Sequence, residues 1–222
     1  MGIGDNLGES FAYAKEALVG KWVRWILMVI ISVIPIVNFI MNGYMIRVMR
    51  GITPAPELED YVQLFIDGLL YTIIGFIWMI PAFIIGMLLI GGSVFALAAA
   101  PNTANVAAVA GMGVGILVTI IIAIICSLFA TIGIVRFART EKVGEAFAFG
   151  EIKDKIGEIG WANYIIALIM LGIVMFIVVF LLSILSIIIP FLGWIILFAA
   201  VPFLNIFSAR FISNLYDSAE TA

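Results

Sequence analysis

The chain has 222 residues, of which 65% are hydrophobic and only 11% are charged, whereas a soluble globular domain carries about 25% charged residues. This composition excludes a soluble domain. The chain has no histidine and only one cysteine, Cys126, so an intrachain disulfide is excluded. The net charge of −3 says little until the charges are placed along the chain.

The charges are strongly segregated. None occurs in residues 68–135 or in residues 159–209. A helix needs about 20 apolar residues to cross the hydrocarbon layer, so each of these stretches holds two membrane helices. The sequence therefore predicts an all-α fold, a polytopic transmembrane helical bundle that forms a single membrane domain over residues 1–222.

The first element is an amphipathic helix over residues 10–25. Phe11, Ala14, Leu18, Trp22 and Trp25 share one face of it, which is the pattern of a helix lying at the membrane surface.

Five hydrophobic segments follow, and the first is interrupted by Pro35. The turns between the later ones are predicted at "AAAPNTAN" and "PFLGW". The predicted membrane segments are residues 25–46, 68–98, 105–135, 160–189 and 194–211.

Charged loops with short amphipathic helices occupy residues 47–67 and 136–159. Each begins with an RxxR pair, and a shift of 91 residues places the acids of the first loop over those of the second. This shared plan predicts an internal duplication, as in other pseudo-symmetric membrane bundles.

Two topologies are open. If all five segments span, eight basic residues share one side with the C-terminus, and the positive-inside rule places that side in the cytoplasm of a prokaryotic cell. We favour this arrangement. In the alternative, the first segment dips in and out at Pro35, and all eleven basic residues lie on one side.

The two RxxR pairs lie where the hydrocarbon ends, so they are either topology anchors or a joint site for an anionic lipid headgroup. The acids on the adjoining helices are solvated or paired with them. The predicted lipid or anion contacts are Arg47, Arg50, Arg136 and Arg139, and the predicted ion-pair partners are Asp60, Asp67, Glu151 and Glu158.

The third segment carries small residues at every fourth position, a spacing that allows close helix packing within or between subunits, or a thinly polar pore lining. The stripe is Thr103, Ala107, Gly111, Gly115, Thr119, Ala123, Ser127 and Thr131. The predicted packing residues are Ala107, Gly111, Gly115, Thr119 and Ala123.

No catalytic or nucleotide-binding template is present, and the second to fifth segments contain no ionisable residue of the kind that marks a coupled pump. We therefore expect no enzyme activity, no cofactor and no bound metal.

The stretches "GYMIRVMRGITPAPELEDYVQLFIDGL" (residues 43–69) and "RFARTEKVGEAFAFGEI" (residues 136–152) resemble a family of uncharacterised, mainly archaeal membrane proteins defined by a domain of unknown function. The resemblance covers most of the chain. It implies a multi-helix membrane protein and no established activity.

The function expected from the sequence is non-catalytic: passive lipid or small-solute handling, or organisation of the membrane, by a homo-oligomer. A channel or pore subunit is the alternative, and a membrane-embedded enzyme is less favoured. The expected partners are membrane lipids, with no nucleic acid.

Overall fold

The computed structural model describes residues 2–99 and 106–221, and every regular element in these ranges is helical. This confirms the all-α helical bundle. The α-helices are α1 Ile3–Leu18, α2 Trp22–Val33, α3 Asn38–Met49, α4 Tyr61–Ala99, α5 Val106–Thr140, α6 Phe149–Ile159, α7 Trp161–Ile188 and α8 Pro190–Asp217, with 3-10 helices at Val143–Phe147 and Ser218–Thr221.

Four of these helices, α4, α5, α7 and α8, are long and apolar enough to cross a membrane. The chain is therefore a multi-pass membrane protein. The turn predicted around Asn102 lies outside the described residues. The turn predicted at "PFLGW" is the first turn of α8 instead, because Pro190 occupies the start of that helix, where its missing N–H costs no hydrogen bond.

The N-terminal third differs from the sequence prediction. The helix expected over residues 10–25 ends at Leu18, and Trp22 and Trp25 belong to α2. Gly20, at a φ of 85°, provides the left-handed conformation that separates the two helices.

The expected first membrane span is also divided. Its residues form α2 and α3, each of 12 residues, with the break at residues 34–37 around Pro35. A 12-residue helix is about 18 Å long, which is too short to cross the roughly 30 Å hydrocarbon layer. Neither α2 nor α3 is long enough to cross that layer alone, and the candidate membrane spans are the four longer helices.

The helices that follow the two charged loops begin in different ways. The short helix expected in the first loop is the beginning of α4, which runs unbroken from Tyr61 to Ala99. In the second loop α6 is separate, because Gly160 adopts a φ of 88° between α6 and α7.

The described chain forms two compact units. The first comprises residues 2–72 and 132–221 and contains every charged residue. The second, residues 73–99 and 106–131, comprises the remainder of α4 and of α5.

Within the first unit α1 packs along α8 through a buried polar network. Asn6 donates its side-chain amide to the carbonyl oxygen of Phe211 at 3.1 Å, while its own side-chain oxygen accepts from Ser10 and Asn214. Because buried polar groups are costly unless paired, these contacts fix the register of α1 on α8.

Ion pairs show which end of the first unit holds the N-terminal basic residues. Arg24 and Lys21 both pair with Glu57, which lies in the loop after Arg50. Arg210 pairs with Glu9 at 2.8 Å. Lys21 and Arg24 therefore lie beside the first charged loop, which is the arrangement that the alternative topology predicts.

Candidate functional site

The two RxxR pairs meet at the end of the first unit where the charged loops lie. Nε of Arg50 donates to the carbonyl oxygen of Ala138 at 3.2 Å, and Nε of Arg139 donates to the carbonyl oxygen of Met49 at 2.8 Å. Each arginine thus satisfies a carbonyl group in the last turns of the other's helix, α5 or α3, where intrahelical donors run out.

The remaining donors of Arg50 point to acids. One terminal nitrogen lies 2.9 Å from Oδ2 of Asp67 and 3.4 Å from Oε1 of Glu141. Asp67 is only 3% exposed and also accepts a hydrogen bond from Gln63. The buried carboxylate is therefore paired, as the cost of an isolated buried charge requires.

Arg139 joins α5 to α8. Its terminal nitrogen donates to Oγ of Ser213 and to both carboxylate oxygens of Asp217, at 2.7 and 2.8 Å. The guanidinium also lies 5.9 Å from the ring centre of Tyr216.

The outer arginine of each pair is bound by its own loop. Arg47 donates to the carbonyl oxygen of Glu59 and lies 3.6 Å from Asp60. Arg136 pairs with Glu145 at 2.5 Å and lies 3.8 Å from Glu151. Each of the four arginines of the RxxR pairs therefore contacts a carboxylate of this chain.

The fourth acid of the sequence prediction, Glu158, is placed elsewhere: it lies 3.4 Å from Nζ of Lys155. Sequence reasoning missed Glu141, Glu145, Ser213 and Asp217 as arginine partners. Glu141 and Glu145 lie close to the second RxxR pair in the chain, a local signal, whereas Asp217 is 78 residues from Arg139 and carries no such signal.

A second feature of the first unit is an apolar groove between α1, α2, α7 and α8. Its volume is about 420 Å³, within the range of roughly 300–1,000 Å³ typical of small-molecule sites. The lining residues are all apolar: Phe11, Trp25, Val174, Val178, Ile195, Ile196, Ala199, Ala200, Phe203, Leu204 and Phe207.

Aromatic rings and two alanines shape this groove. Phe11 and Phe203 meet edge to face with their centroids 5.3 Å apart, and the small side chains of Ala199 and Ala200 leave space beside them. Nε1 of Trp25 donates to the carbonyl oxygen of Ala199 at 2.7 Å. This bond satisfies the polar atom of the indole, so the groove presents only hydrocarbon.

Two polar contacts hold α1 and α2 beside the groove. The hydroxyl of Tyr13 donates to the carbonyl oxygen of Ile52 at 2.9 Å, and burial raises the pKa of Tyr13 to about 12 although Arg210 opposes this shift. In α2, Arg24 donates to the carbonyl oxygen of Ala17 and pairs closely with Glu57. The hydrogen bond from Arg24 lowers the pKa of Glu57.

The predicted packing residues lie in the second unit. A Cβ added at Gly115 would lie 3.0 Å from Cβ of Leu89, and one added at Gly111 would lie 3.0 Å from Oγ of Ser93. A Cβ added at Gly86 of α4 would likewise lie 3.0 Å from Cγ2 of Thr119. Gly111, Gly115 and Thr119 therefore lie where α5 approaches α4. Ala123 is partly buried and Ala107 is exposed, while Thr103 lies outside the described residues.

Within residues 2–99 and 106–221, no three metal-binding side chains converge.

A family model described as "Protein of unknown function (DUF4013)" matches residues 26–187. No curated protein and no solved structure matches the chain.

Proposed function

Because the chain belongs to the DUF4013 family of proteins of unknown function, we propose its role from its own geometry: it binds the acyl chain of a membrane lipid in the groove between α1, α2, α7 and α8, without catalysing a reaction. The observation that carries this proposal is the wholly apolar lining of a 420 Å³ groove in a multi-pass membrane protein.

The surroundings of the groove favour an acyl chain as its occupant. The groove is built largely from the membrane helices α7 and α8, where lipid tails are the abundant apolar ligand. It offers no hydrogen-bonding side chain except the indole of Trp25, whose donor is already used. A polar solute would lose its hydration there without compensation.

The RxxR arginines fit a structural role beside this groove. Their guanidinium groups contact acids of the same chain, so we assign them to holding the helix ends together. The protein would act in the cell membrane of a prokaryote, with the charged loops and the C-terminus in the cytoplasm.

Filling the groove tests the proposal. Ala200→Trp places an indole in the space between the aromatic walls, whereas Ala110→Trp adds the same side chain to an exposed position of α5, outside the groove. After purification in mild detergent, native mass spectrometry should show at least one fewer retained phospholipid on Ala200→Trp than on the wild type or on Ala110→Trp.

A second measurement guards against misfolding of the variant. A phospholipid with a photoreactive group in its acyl chain should label wild-type peptides that contain Phe11, Trp25 or Phe203. Equal lipid retention by all three proteins, or labelling confined to other helices, would overturn the proposal.

A further inference from the structure

We infer that the groove is selective for anionic phospholipids, whose phosphate lies between Lys15 and Lys21; this inference rests on the proposed function. The groove itself, being purely apolar, cannot distinguish one headgroup from another. Selectivity must come from charged side chains at its mouth.

The two lysines have matched positions relative to the aromatic residues of the groove. Lys15 follows Phe11 by four residues on α1, and Lys21 precedes Trp25 by four residues, with the backbone N–H of Trp25 bonded to the carbonyl oxygen of Lys21 at 3.0 Å. Residues four apart lie on the same face of a helix. Lys15 and Lys21 therefore each lie one helical turn along the chain from an aromatic residue that lines the groove.

A stacked pair of tryptophans, of which Trp22 is exposed, marks the same place. Trp22 is 63% exposed and stacks on Trp25 with the ring centroids 5.7 Å apart. Exposed tryptophans concentrate at the level of lipid headgroups. A lipid whose tail lies beside Trp25 thus has its phosphate near the start of α2.

The charges of both lysines are available to a ligand. Lys15 is exposed, and among the described residues no carboxylate lies in ion-pair distance of it. Lys21 is 3.7 Å from Glu57, but that carboxylate is engaged more closely by Arg24. An exposed pair at such a distance contributes little, so a phosphate can compete for Lys21.

The experiment compares two lipids with identical acyl chains. The protein is reconstituted in vesicles of equimolar phosphatidylglycerol and phosphatidylcholine, extracted in mild detergent, and analysed for bound lipid by native mass spectrometry. We expect the wild type to retain phosphatidylglycerol preferentially, by about fivefold for each lysine that contacts the headgroup.

Lys15→Gln with Lys21→Gln should bring the ratio of the two bound lipids close to that of the vesicle, with the total amount of bound lipid nearly unchanged. Lys15→Arg with Lys21→Arg, which keeps both positive charges, should retain the preference for phosphatidylglycerol. Lys142→Gln with Lys153→Gln, which removes the same charge from the second charged loop, should leave it intact.

An unchanged preference in the Lys15→Gln, Lys21→Gln protein would overturn this inference. That result would leave the groove proposal standing as long as Ala200→Trp still lowers total lipid retention. Loss of the preference in the Lys142→Gln, Lys153→Gln protein would also overturn it, because the effect would then follow net charge.

Discussion

Arg50 and Arg139 each donate a hydrogen bond from Nε to the carbonyl oxygen of the residue that precedes the other, Ala138 and Met49 respectively. The acceptors Met49 and Ala138 are 89 residues apart, and so are Arg50 and Arg139, so the two hydrogen bonds occupy equivalent positions of the two RxxR pairs. Each guanidinium then reaches an acid from a third helix, Asp67 of α4 for Arg50 and Asp217 of α8 for Arg139. Four helix ends are thereby joined by two side chains.

We predict that Arg50→Lys and Arg139→Lys each lower the free energy of unfolding by about 1–3 kcal/mol. A lysine ammonium is a point charge that cannot reproduce the planar fork of an arginine that binds a carbonyl and a carboxylate together. For a chain of this size the loss corresponds to roughly 2–4 °C in Tm per kcal/mol, which a thermal-shift assay in detergent measures.

Arg47→Lys is the matched control. Arg47 contacts one carbonyl oxygen and an acid at 3.6 Å that is largely exposed, so we expect a smaller change in Tm. If Arg47→Lys lowers Tm as much as Arg50→Lys does, the reciprocal hydrogen bonds of Arg50 and Arg139 contribute no more to stability than the contacts of Arg47.

The positions of the RxxR arginines near the ends of α3 and α5 could be predicted from the sequence, because charges are rare in this chain and both pairs follow long apolar segments. Asp60, Asp67 and Glu151 lie near the arginines along the chain, and each lies within ion-pair distance of one of them. Asp217 and the groove could not be predicted, because both depend on how α8 packs against α1, α2 and α5. The break at Gly20 was missed because the apolar face of the predicted helix continued across it, whereas the break at Pro35 was the basis of the alternative topology.

We predict that single cysteines at Lys15 and Lys153 are labelled from the same side of the membrane, and a cysteine at Phe191 from the other. Four spans bring the N-terminus to the side of the charged loops, and Phe191 lies in the first turn of α8. The measurement uses a membrane-impermeant thiol reagent on a Cys126→Ala background. If the cysteines at positions 15 and 153 are labelled from opposite sides of the membrane, the result supports the five-span topology instead.

We predict that Glu57 makes the protein more stable above about pH 4.5 than below it. Since Arg24 lowers the pKa of the Glu57 carboxyl from its ordinary value of 4.5, the native state favours the ionised form. This contribution is present above the unfolded pKa and is lost as the pH falls through the lower native pKa.

Glu57→Gln should therefore lower Tm at neutral pH and flatten the fall in Tm as the pH drops below about 4.5. Glu16→Gln removes an equal charge from an exposed position of α1 and should leave that fall unchanged. Identical acid profiles for the wild type and Glu57→Gln would show that the pair with Arg24 has no effect on stability.

We predict that Gly111→Leu with Gly115→Leu lowers Tm without changing the mass of the particle, because the seam between α4 and α5 lies within one chain. Helices in lipid gain no hydrophobic drive for association, so close packing must stabilise their contact. At Gly115 even a Cβ would approach Leu89 within 3.0 Å and the backbone nitrogen of Ile90 within 3.3 Å, and the rest of a leucine side chain would force the helices apart.

Gly113→Leu is the control, since nothing lies within 4 Å of a Cβ at Gly113, and its Tm should stay near that of the wild type. A decrease in mass by light scattering in the double variant would instead assign the seam to contact between subunits. A double variant with unchanged Tm and mass would show that these glycines do not support packing at all.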